Sequence, residues 1–304
     1  MAYHEPVLLA RSVEALNIRP DGLYADLTLG GGGHSRAILQ RLGTDGRLFC
    51  LDRDADAFEN LPDDPRVTPI HANYAHLQRW LRYFDVPYLD GVLMDLGVSS
   101  HHFDEQTRGF SYRFDAPLDM RMNQQGDLTA AQILEHYAEQ DLATLFLHYG
   151  EIRSSGKLAH CIVQERNIHP IATTYELRAV VEKAFGKAGG APKVLACIFQ
   201  ALRIEVNREL ESLQRLLLQL PAVVAAQGRV VVLAYHSLED RLVKNFLRAG
   251  NFEGQLARDV YGNHAAPFRL LSKGAERAEK SEQEENSRSH SARLRIGERT
   301  DFQI

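Results

Sequence analysis

A run of four glycines, Gly30–Gly33, is the stretch of this sequence most suited to holding a small ligand. The apolar segment Leu23–Leu29 precedes it and a helical spacing of apolar residues follows it, which predicts a strand, a tight turn and a helix. Glycine has no Cβ, so a ligand can approach such a turn closely, and the first N–H groups of the helix point toward it. A strand–helix turn without a ligand is the alternative, which four glycines disfavour because of their backbone entropy.

Two carboxylates flank the glycine turn and indicate the kind of ligand. Asp26 interrupts the first strand, and Asp52 ends the second strand about twenty residues after the glycines, a spacing typical of a carboxylate that binds a ribose diol. The third glycine of the dinucleotide fingerprint is absent, and no Gly-Lys-Ser/Thr follows, so a phosphate ligand is disfavoured. A ligand that carries both an ammonium, bound by Asp26, and a carboxylate, bound by the turn amides, fits better than a phosphate. The methionine end of S-adenosylmethionine carries both groups.

Strand and helix patterns alternate as far as Asp95. The apolar segments Arg66–His71 and Leu89–Leu96 are the third and fourth predicted strands. This alternation predicts an α/β fold with a parallel sheet and helices on both of its faces. Ligands in such folds bind beyond the carboxyl ends of the strands. Because Asp26, Asp52 and Asp95 all fall at such ends, we expect them to share one site.

Two further side chains follow predicted strands. Tyr74 comes after the third strand, where its ring either lies against a bound ligand or packs in the core. His236 comes after the buried fifth strand, Gly228–Tyr235, where it either holds the loop or acts directly. Ser237 and Asp240 resemble a capping box that opens the next helix.

The character of the chain changes after the fourth strand. Residues 98–125 are polar and interleave arginine with aromatic side chains, a combination suited to phosphate contact and base stacking. A connection of this length is usually functional or marks an insertion. The alternative is a loop folded onto the surface by its own aromatic side chains, and neighbouring acids partly cancel the arginines. The candidate RNA-contacting residues are Arg108, Phe110, Tyr112, Arg113 and Arg121.

Helical patterns then dominate up to residue 186, which predicts an inserted helical domain over residues 106–192. Residues 1–105 and 193–304 form the two parts of the sheet domain. A capping box of Thr173 and Glu176 opens one helix of the insertion, and a long amphipathic helix spans residues 193–220. Residues 272–291 are charged and poor in apolar side chains, which predicts mobility. The alternating segment Ala292–Ile296 predicts a strand at the sheet edge.

Composition limits the class of protein. The chain has 304 residues, 44% of them hydrophobic and 25% charged, as in an ordinary soluble globular protein. It contains no apolar segment long enough for a membrane span and no signal peptide. Cys50, Cys161 and Cys197 form no CxxC pair, so we expect reduced thiols, no metal site and a cytoplasmic location. The net charge of −5 argues only weakly against nucleic acid as a partner, because binding depends on the local field.

Several segments together resemble one family, the bacterial small-subunit (16S) ribosomal RNA cytosine-N4-methyltransferases. They are His4–Leu9, Thr28–Arg36, Leu51–Asp54, Asp95–Ser100, Arg108–Ser111, Pro117–Met122, Phe199–Ile204, Tyr235–Arg241 and Ser291–Ile296. The resemblance implies a class I (Rossmann-like) methyltransferase domain with a helical substrate-recognition insertion. It implies methyl transfer from S-adenosylmethionine to the exocyclic N4 amine of a cytidine in the decoding region of small-subunit ribosomal RNA. The expected partner is then that RNA within the assembled small subunit. Whether the protein forms a homodimer is left open.

The same resemblance assigns the cofactor contacts. They are Gly32, Gly33, His34, Asp52, Tyr74, Asp95 and His102. The position of Asp26 beside the glycine turn adds this residue to the predicted contacts. The family commonly has Phe at the position of Tyr74 and Pro-Gln at the positions of His101 and His102.

Methyl transfer to an amine needs a hydrogen-bond acceptor more than a strong base. The N4 lone pair of cytosine is delocalised, and an acceptor on its N–H would concentrate electron density on the nitrogen. Asp95 is the first candidate, and Ser99, Ser100 and His236 are weaker ones. The target base must leave its stack, and Phe110 or Tyr112 is the candidate to stack on it.

Other functions stay open at this point. A nicotinamide-dependent oxidoreductase is opposed by the missing third glycine and by Asp26. A non-catalytic RNA-binding assembly factor with a vestigial pocket is opposed by the intact carboxylates. A methyltransferase that acts on another RNA, a protein or a small molecule is opposed by the arginine and aromatic segment together with the family resemblance.

Overall fold

The computed structural model describes residues 6–98, 107–186, 191–256 and 266–301. The chain forms two compact units, a sheet unit of Met1–Gly97 with Leu210–Ile304 and a helical unit of Val98–Glu209. The helical unit therefore extends beyond the predicted insertion of residues 106–192 at both ends. Within the described ranges, no helix combines the length and the apolar character needed to cross a membrane.

The sheet unit is built on a mixed sheet of seven strands in the order β3-β2-β1-β4-β5-β7-β6. The strands are β1 Leu23–Asp26, β2 Arg47–Asp52, β3 Val67–His71, β4 Leu89–Asp95, β5 Val224–Ala234, β6 Phe268–Leu270 and β7 Arg293–Arg299. The first five pair in parallel, as the alternation of patterns predicts. β7 runs antiparallel to both of its neighbours, β5 and β6. The predicted edge position of this last strand is wrong, because the three-residue β6 lies outside it.

Eleven α-helices are present in the described residues. They are α1 Leu9–Ala15, α2 Gly33–Leu39, α3 Leu77–Tyr83, α4 Ala130–His136, α5 Glu139–His148, α6 Ser155–Arg166, α7 Thr174–Phe185, α8 Pro192–Asn207, α9 Glu209–Val223, α10 Ser237–Ala249 and α11 Lys280–Glu285. Short 3₁₀ turns occupy Ala55–Asn60, Tyr74–His76 and Ser287–His290.

Both faces of the sheet are covered, which gives the unit two apolar cores. Phe49 and Leu51 of β2 point to the face that packs against α3, α9 and α10. Leu48 and Cys50 alternate with them and point to the face that packs against α1 and α2. Burial on both faces explains why these strands read as continuous apolar runs.

The helical unit has a core of its own, formed by α4 to α8 with the segment that precedes them. The predicted capping box of α7 is confirmed, since the Thr173 side chain accepts the Glu176 N–H and the Glu176 side chain accepts the Thr173 N–H. A second capping box, of Thr129 and Gln132, opens α4.

The predicted single helix over residues 193–220 is wrong, because α8 and α9 are separated at Arg208. This residue has a left-handed backbone with φ of 46°. The buried Asn207 side chain explains the break: its Nδ2 donates to the Met120 carbonyl at 2.8 Å, and its Oδ1 accepts the Met122 N–H at 2.8 Å. These hydrogen bonds to residues distant in sequence stabilise the break between α8 and α9, where the helical hydrogen bonds do not continue.

The C-terminal segment 272–291, predicted to be mobile, contains α11 and a 3₁₀ turn in which Ser289 is buried. Its charges contact the start of the chain. Glu276 forms a two-point ion pair with Arg11 at 2.6 and 2.9 Å. Glu282 accepts the Leu8 N–H at 2.7 Å. The low apolar content of this segment therefore reflects charge pairing with the N-terminal helix.

Candidate functional site

The glycine turn joins β1 to α2, as predicted, and packs closely against the protein itself. Gly32 caps α2 with φ of 71°, a backbone conformation that L side chains rarely adopt. A Cβ at Gly32 would lie 2.5 Å from the Asn60 carbonyl oxygen. The Gly30 N–H donates to Oδ2 of Asp52 at 3.0 Å, which ties the turn to the end of β2. Glycine at position 32 is therefore a requirement of backbone geometry and close approach.

Asp26, the carboxylate predicted to bind an ammonium, is fully buried beneath this turn. Its Oδ2 accepts the Ser35 hydroxyl at 2.6 Å and its Oδ1 accepts the Thr28 N–H at 3.2 Å. Burial raises the pKa of Asp26 to about 7, although these hydrogen bonds oppose the rise. Both oxygens accept hydrogen bonds inside the protein, so Asp26 shapes the turn, and its contact with an ammonium stays a prediction.

Asp95 ends β4 and is the carboxylate that faces the edge of the sheet, with 26% of its side chain exposed. Its Oδ1 accepts the hydroxyl of Tyr235 at 2.6 Å. Burial raises the pKa of Asp95 to about 7, and the Tyr235 hydrogen bond opposes that rise. Within the described ranges no donor bonds Oδ2, and the nearest nitrogen in an ion-pair geometry is Nδ1 of His34 at 3.9 Å.

His34 opens α2 with its imidazole buried beside Asp95. Burial lowers the pKa of His34 to about 4, so the ring is neutral at pH 7. Its Nε2 has no hydrogen-bond partner among the residues that the structure describes. A buried polar atom of this kind needs an explanation, and a ligand group is one.

Asp52 and Tyr74 lie at the ends of the next two strands. The Asp52 carboxylate accepts the N–H groups of Gly30 at 3.0 Å and of Asp54 at 2.9 Å, which fixes its orientation at the edge of the sheet. Tyr74 begins a 3₁₀ turn after β3, half-buried against the core. The structure thus places both residues at the predicted edge.

Tyr235 is the site residue that sequence reasoning missed. It follows β5, and the parallel register that sets Asp95 beside Leu233 brings the two strand ends together. Burial raises the pKa of Tyr235 well above its ordinary value, and the adjacent Asp95 adds to the effect. The signal was present in the sequence, because a tyrosine at the end of a buried strand needs a partner for its hydroxyl.

His236 precedes α10, and neither of its buried ring nitrogens makes a hydrogen bond within the described residues. Its Nε2 lies 3.1 Å from Oε1 of Glu239, whose other oxygen accepts the Tyr235 N–H at 3.0 Å. The predicted capping box of Ser237 and Asp240 is wrong, because His236 occupies the N-cap and no side chain caps α10. Asp240 pairs instead with Arg295 of β7 at 2.6 Å. Glu239 is thus the residue whose side chain bonds the backbone of Tyr235.

Three candidate site residues, Ser99, Ser100 and His102, lie outside the described residues, and so does His101.

Two of the predicted RNA-contacting residues, Arg108 and Phe110, are buried within the helical unit. Arg108 donates from Nη2 to the carbonyls of Arg121 at 2.6 Å and Met122 at 2.8 Å. Its guanidinium lies 5.5 Å from the ring centroid of Phe110, which is only 4% exposed. As folded, these side chains hold the segment together, which corrects their assignment to RNA.

The other three predicted RNA-contacting residues differ in their exposure to solvent. Tyr112 is half-buried, with its ring edge-on to Phe199 at 5.6 Å. Arg121 makes a two-point pair with Asp119 at 2.9 and 2.6 Å. Arg113 is exposed. Arg113 is thus the member of the five that is presented to solvent.

A model of the MraW methylase family matches residues 1–300 of this chain. The chain belongs to this family. It is 50% identical over 299 residues to the ribosomal RNA small subunit methyltransferase H of Bacteroides thetaiotaomicron, a match that covers 98% of each chain. The proteins of the same name from Parabacteroides distasonis and Flavobacterium johnsoniae are 50% and 48% identical, over 98% of this chain and 97% and 98% of their own. The match to the family model therefore covers both units. Asp95 and Tyr235 lie within the matched residues.

Proposed function

We propose that this protein transfers a methyl group from S-adenosylmethionine to the exocyclic N4 amine of a cytidine in the decoding region of small-subunit ribosomal RNA. The observation that carries the proposal is the match over nearly the full chain to relatives named as ribosomal RNA small subunit methyltransferases. The carboxylates at the strand ends support it, because they lie where α/β proteins bind ligands.

The glycine turn and its neighbours fit S-adenosylmethionine. Nε2 of His34 is buried and has no partner within the described ranges, which suits a polar group of the ligand. Asp52 stands at the end of β2, the position of a carboxylate that binds a ribose diol. The Gly33 amide begins α2, where a helix favours a carboxylate, whereas the Gly32 N–H donates to the Leu29 carbonyl at 2.7 Å. When bound, the cofactor supplies a methyl group on a sulfonium, which is already a good leaving group.

Asp95 is the residue that we assign to the amine. Its Oδ1 is occupied by Tyr235, which leaves Oδ2 to accept an N–H of the cytosine amine. An acceptor at this position increases electron density on N4 as the methyl group approaches. The positive charge of the cofactor lowers the pKa of a nearby carboxyl, so the bound state favours the carboxylate form that accepts. His236 has a weaker claim, because its Nε2 lies against the Glu239 carboxylate at 3.1 Å.

The substrate in this proposal is the RNA within the assembled small subunit, in the cytoplasm. Arg113 is the exposed candidate for contact with the RNA backbone, and Tyr112 and Arg121 lie close to it in the chain. Their cationic and aromatic groups suit single-stranded RNA, which offers phosphates and unstacked bases.

Nucleoside analysis of ribosomal RNA tests the proposal. A strain that lacks this gene should lose one N4-methylated cytidine in its small-subunit RNA. The wild-type gene should restore that modification, and the Asp95→Asn variant, expressed at the same level, should not. An unchanged nucleoside profile in the deletion strain would assign the protein to another substrate. Restoration by the variant would remove Asp95 from the mechanism.

A further inference from the structure

Helix α3 presents an aromatic and cationic surface that the methyl-transfer site does not use. We call it the α3 surface, formed by Arg79, Trp80, Arg82, Tyr83 and Phe84. The Tyr83 ring stands edge-on to Trp80 at 5.9 Å and to Phe84 at 5.0 Å, while Trp80 and Phe84 stack at 6.4 Å. Tyr83 is 73% exposed, the second most exposed large apolar side chain of the described residues.

Packing explains only part of this cluster. Trp80 and Phe84 are half-buried against the apolar core of the sheet, so their role in stability is clear. Tyr83 is not among the residues of that core, and its ring faces solvent. An exposed aromatic ring supported by two others offers a rigid surface on which a flat group can stack.

Arg79 and Arg82 supply positive charge to the α3 surface. Arg79 and Arg82 are exposed and form no ion pair in the described part of the chain. Arg79 lies four residues before Tyr83 and three before Arg82, so on a helix it neighbours both of these side chains. Asp85, the nearest acid in sequence, pairs with neither. A negatively charged partner would meet two available guanidinium groups.

We propose that the α3 surface binds a single-stranded segment of RNA, a proposal that rests on RNA as the substrate. Stacking on Tyr83 and phosphate contacts from Arg79 and Arg82 are the chemistry by which proteins hold unpaired nucleotides. Helix α3 begins directly after the 3₁₀ turn of Tyr74, at the edge of the sheet that carries the site, and runs from there toward the start of β4. RNA that leaves this edge would run along roughly 10 Å of helix.

A second copy of this chain is a poorer occupant of the surface. In a two-fold dimer the same patch meets itself, so two positively charged surfaces would come together. Like charges placed opposite each other are unfavourable unless acids separate them. A nucleic acid strand has the complementary charge.

The fluorescence of Trp80 reports directly on the surface, because it is the only tryptophan in the chain. The first experiment titrates the full-length protein with an unstructured oligouridine RNA and records tryptophan emission. We expect saturable quenching of Trp80, with a dissociation constant that agrees with an independent gel-shift measurement. Emission that depends on protein concentration without RNA would instead identify a second copy as the occupant.

Three variants separate the contributions to binding. Tyr83→Ala should weaken RNA binding roughly 5- to 100-fold through loss of base stacking, and Tyr83→Phe should retain it. The double change Arg79→Ala with Arg82→Ala should reduce the salt slope of log Kd by about 1.4, the value for two single-strand phosphate contacts. Arg41→Ala with Arg47→Ala is the matched control, since it removes two exposed arginines of the same unit at positions away from α3.

The outcomes for the surface and for the proposed function are distinguishable. Undetectable binding of the RNA, or binding without quenching and with equal affinity in all variants, would overturn the α3 proposal. Methyl transfer to small subunits is measured separately, and its presence in that case would leave the proposed function intact. Quenching and variant effects without any methyl transfer would support the RNA surface and contradict the enzyme activity.

Discussion

The hydroxyl of Tyr235 donates a hydrogen bond of 2.6 Å to Oδ1 of Asp95, which joins the ends of the neighbouring strands β4 and β5. This bond orients the carboxylate and leaves Oδ2 available toward the edge where ligands bind. It also favours the charged form of Asp95, because a donor stabilises a carboxylate more than a carboxylic acid.

Tyr235→Phe should therefore move the acidic limb of the pH–rate profile to higher pH. Loss of a hydrogen bond to a charged group raises the pKa of Asp95 by roughly one to two units. The value of kcat/KM for S-adenosylmethionine at pH 7 should fall about tenfold, because less carboxylate is present. The profile of kcat/KM against pH gives the shift, since it reports the pKa of the ligand-free enzyme. Tyr24→Phe is the control, a change at another buried tyrosine, whose hydroxyl accepts the Arg19 N–H. An acidic limb that stays in place would show that Tyr235 does not act through Asp95.

Asp26→Asn should change how stability depends on pH. Burial raises the folded-state pKa of Asp26 from 3.8 to about 7, so between these values the folded protein binds a proton that the unfolded chain has released. Stability therefore falls as pH rises through this window, by up to roughly 4 kcal/mol in total. Asparagine removes this effect. The difference in Tm, variant minus wild type, should become more positive as the pH rises from about 4.5 to about 8. This range covers most of the window between the two pKa values. A difference that is constant with pH would contradict the buried, protonated state.

Gly32→Ala should lower stability and cofactor affinity together, because the added Cβ meets the Asn60 carbonyl and the backbone is left-handed. We expect a loss of about 1–3 kcal/mol in the free energy of unfolding. Gly156→Ala is the matched control within α6, where nothing lies within 4 Å of the added Cβ. It should raise stability by about 0.5–1 kcal/mol. Denaturant titration measures both values, and equal effects of the two changes would refute the close-packed turn.

Arg108→Gln and Arg113→Gln should have opposite effects on the free energy of unfolding and on RNA binding. Arg108 is buried and bonds two carbonyls, so its loss should destabilise the protein by about 1.5–3 kcal/mol. Arg113 is exposed, so its loss should leave the free energy of unfolding within about 0.5 kcal/mol and weaken RNA binding. Chemical unfolding and filter binding of small subunits measure the two effects. A stable Arg108 variant with weakened RNA binding would restore Arg108 to the interface.

The parts of this fold that local sequence patterns determine were predictable. The parallel strands β1 to β4 follow from the alternation of apolar runs with helical spacing, and the carboxylates Asp52 and Asp95 follow from the ends of those runs. The capping box of Thr173 and Glu176 is also local, and it formed as predicted.

The rest depends on contacts between residues far apart in sequence. The leucine stripe of α9 continues that of α8, and only the bonds of Asn207 to residues 120 and 122 reveal the break at Arg208. The pairing of Arg11 with Glu276 spans 265 positions, so composition alone suggested mobility for the C-terminal segment. The burial of Asp26 has the same origin, since a sequence pattern shows the acid but not the layer of chain that covers it.

Single-turnover methyl transfer tests the central claim most directly. Wild type and Asp95→Asn are each loaded with labelled S-adenosylmethionine, with the cofactor dissociation constant measured beside the rate, and mixed with small subunits from the deletion strain. We expect label on the N4 of one cytidine with wild type. The variant should be at least about 100-fold slower, the scale of losing one preorganised group, with cofactor affinity changed far less. Equal rates at equal cofactor occupancy would contradict the role of Asp95, and the absence of label with wild type would contradict the reaction.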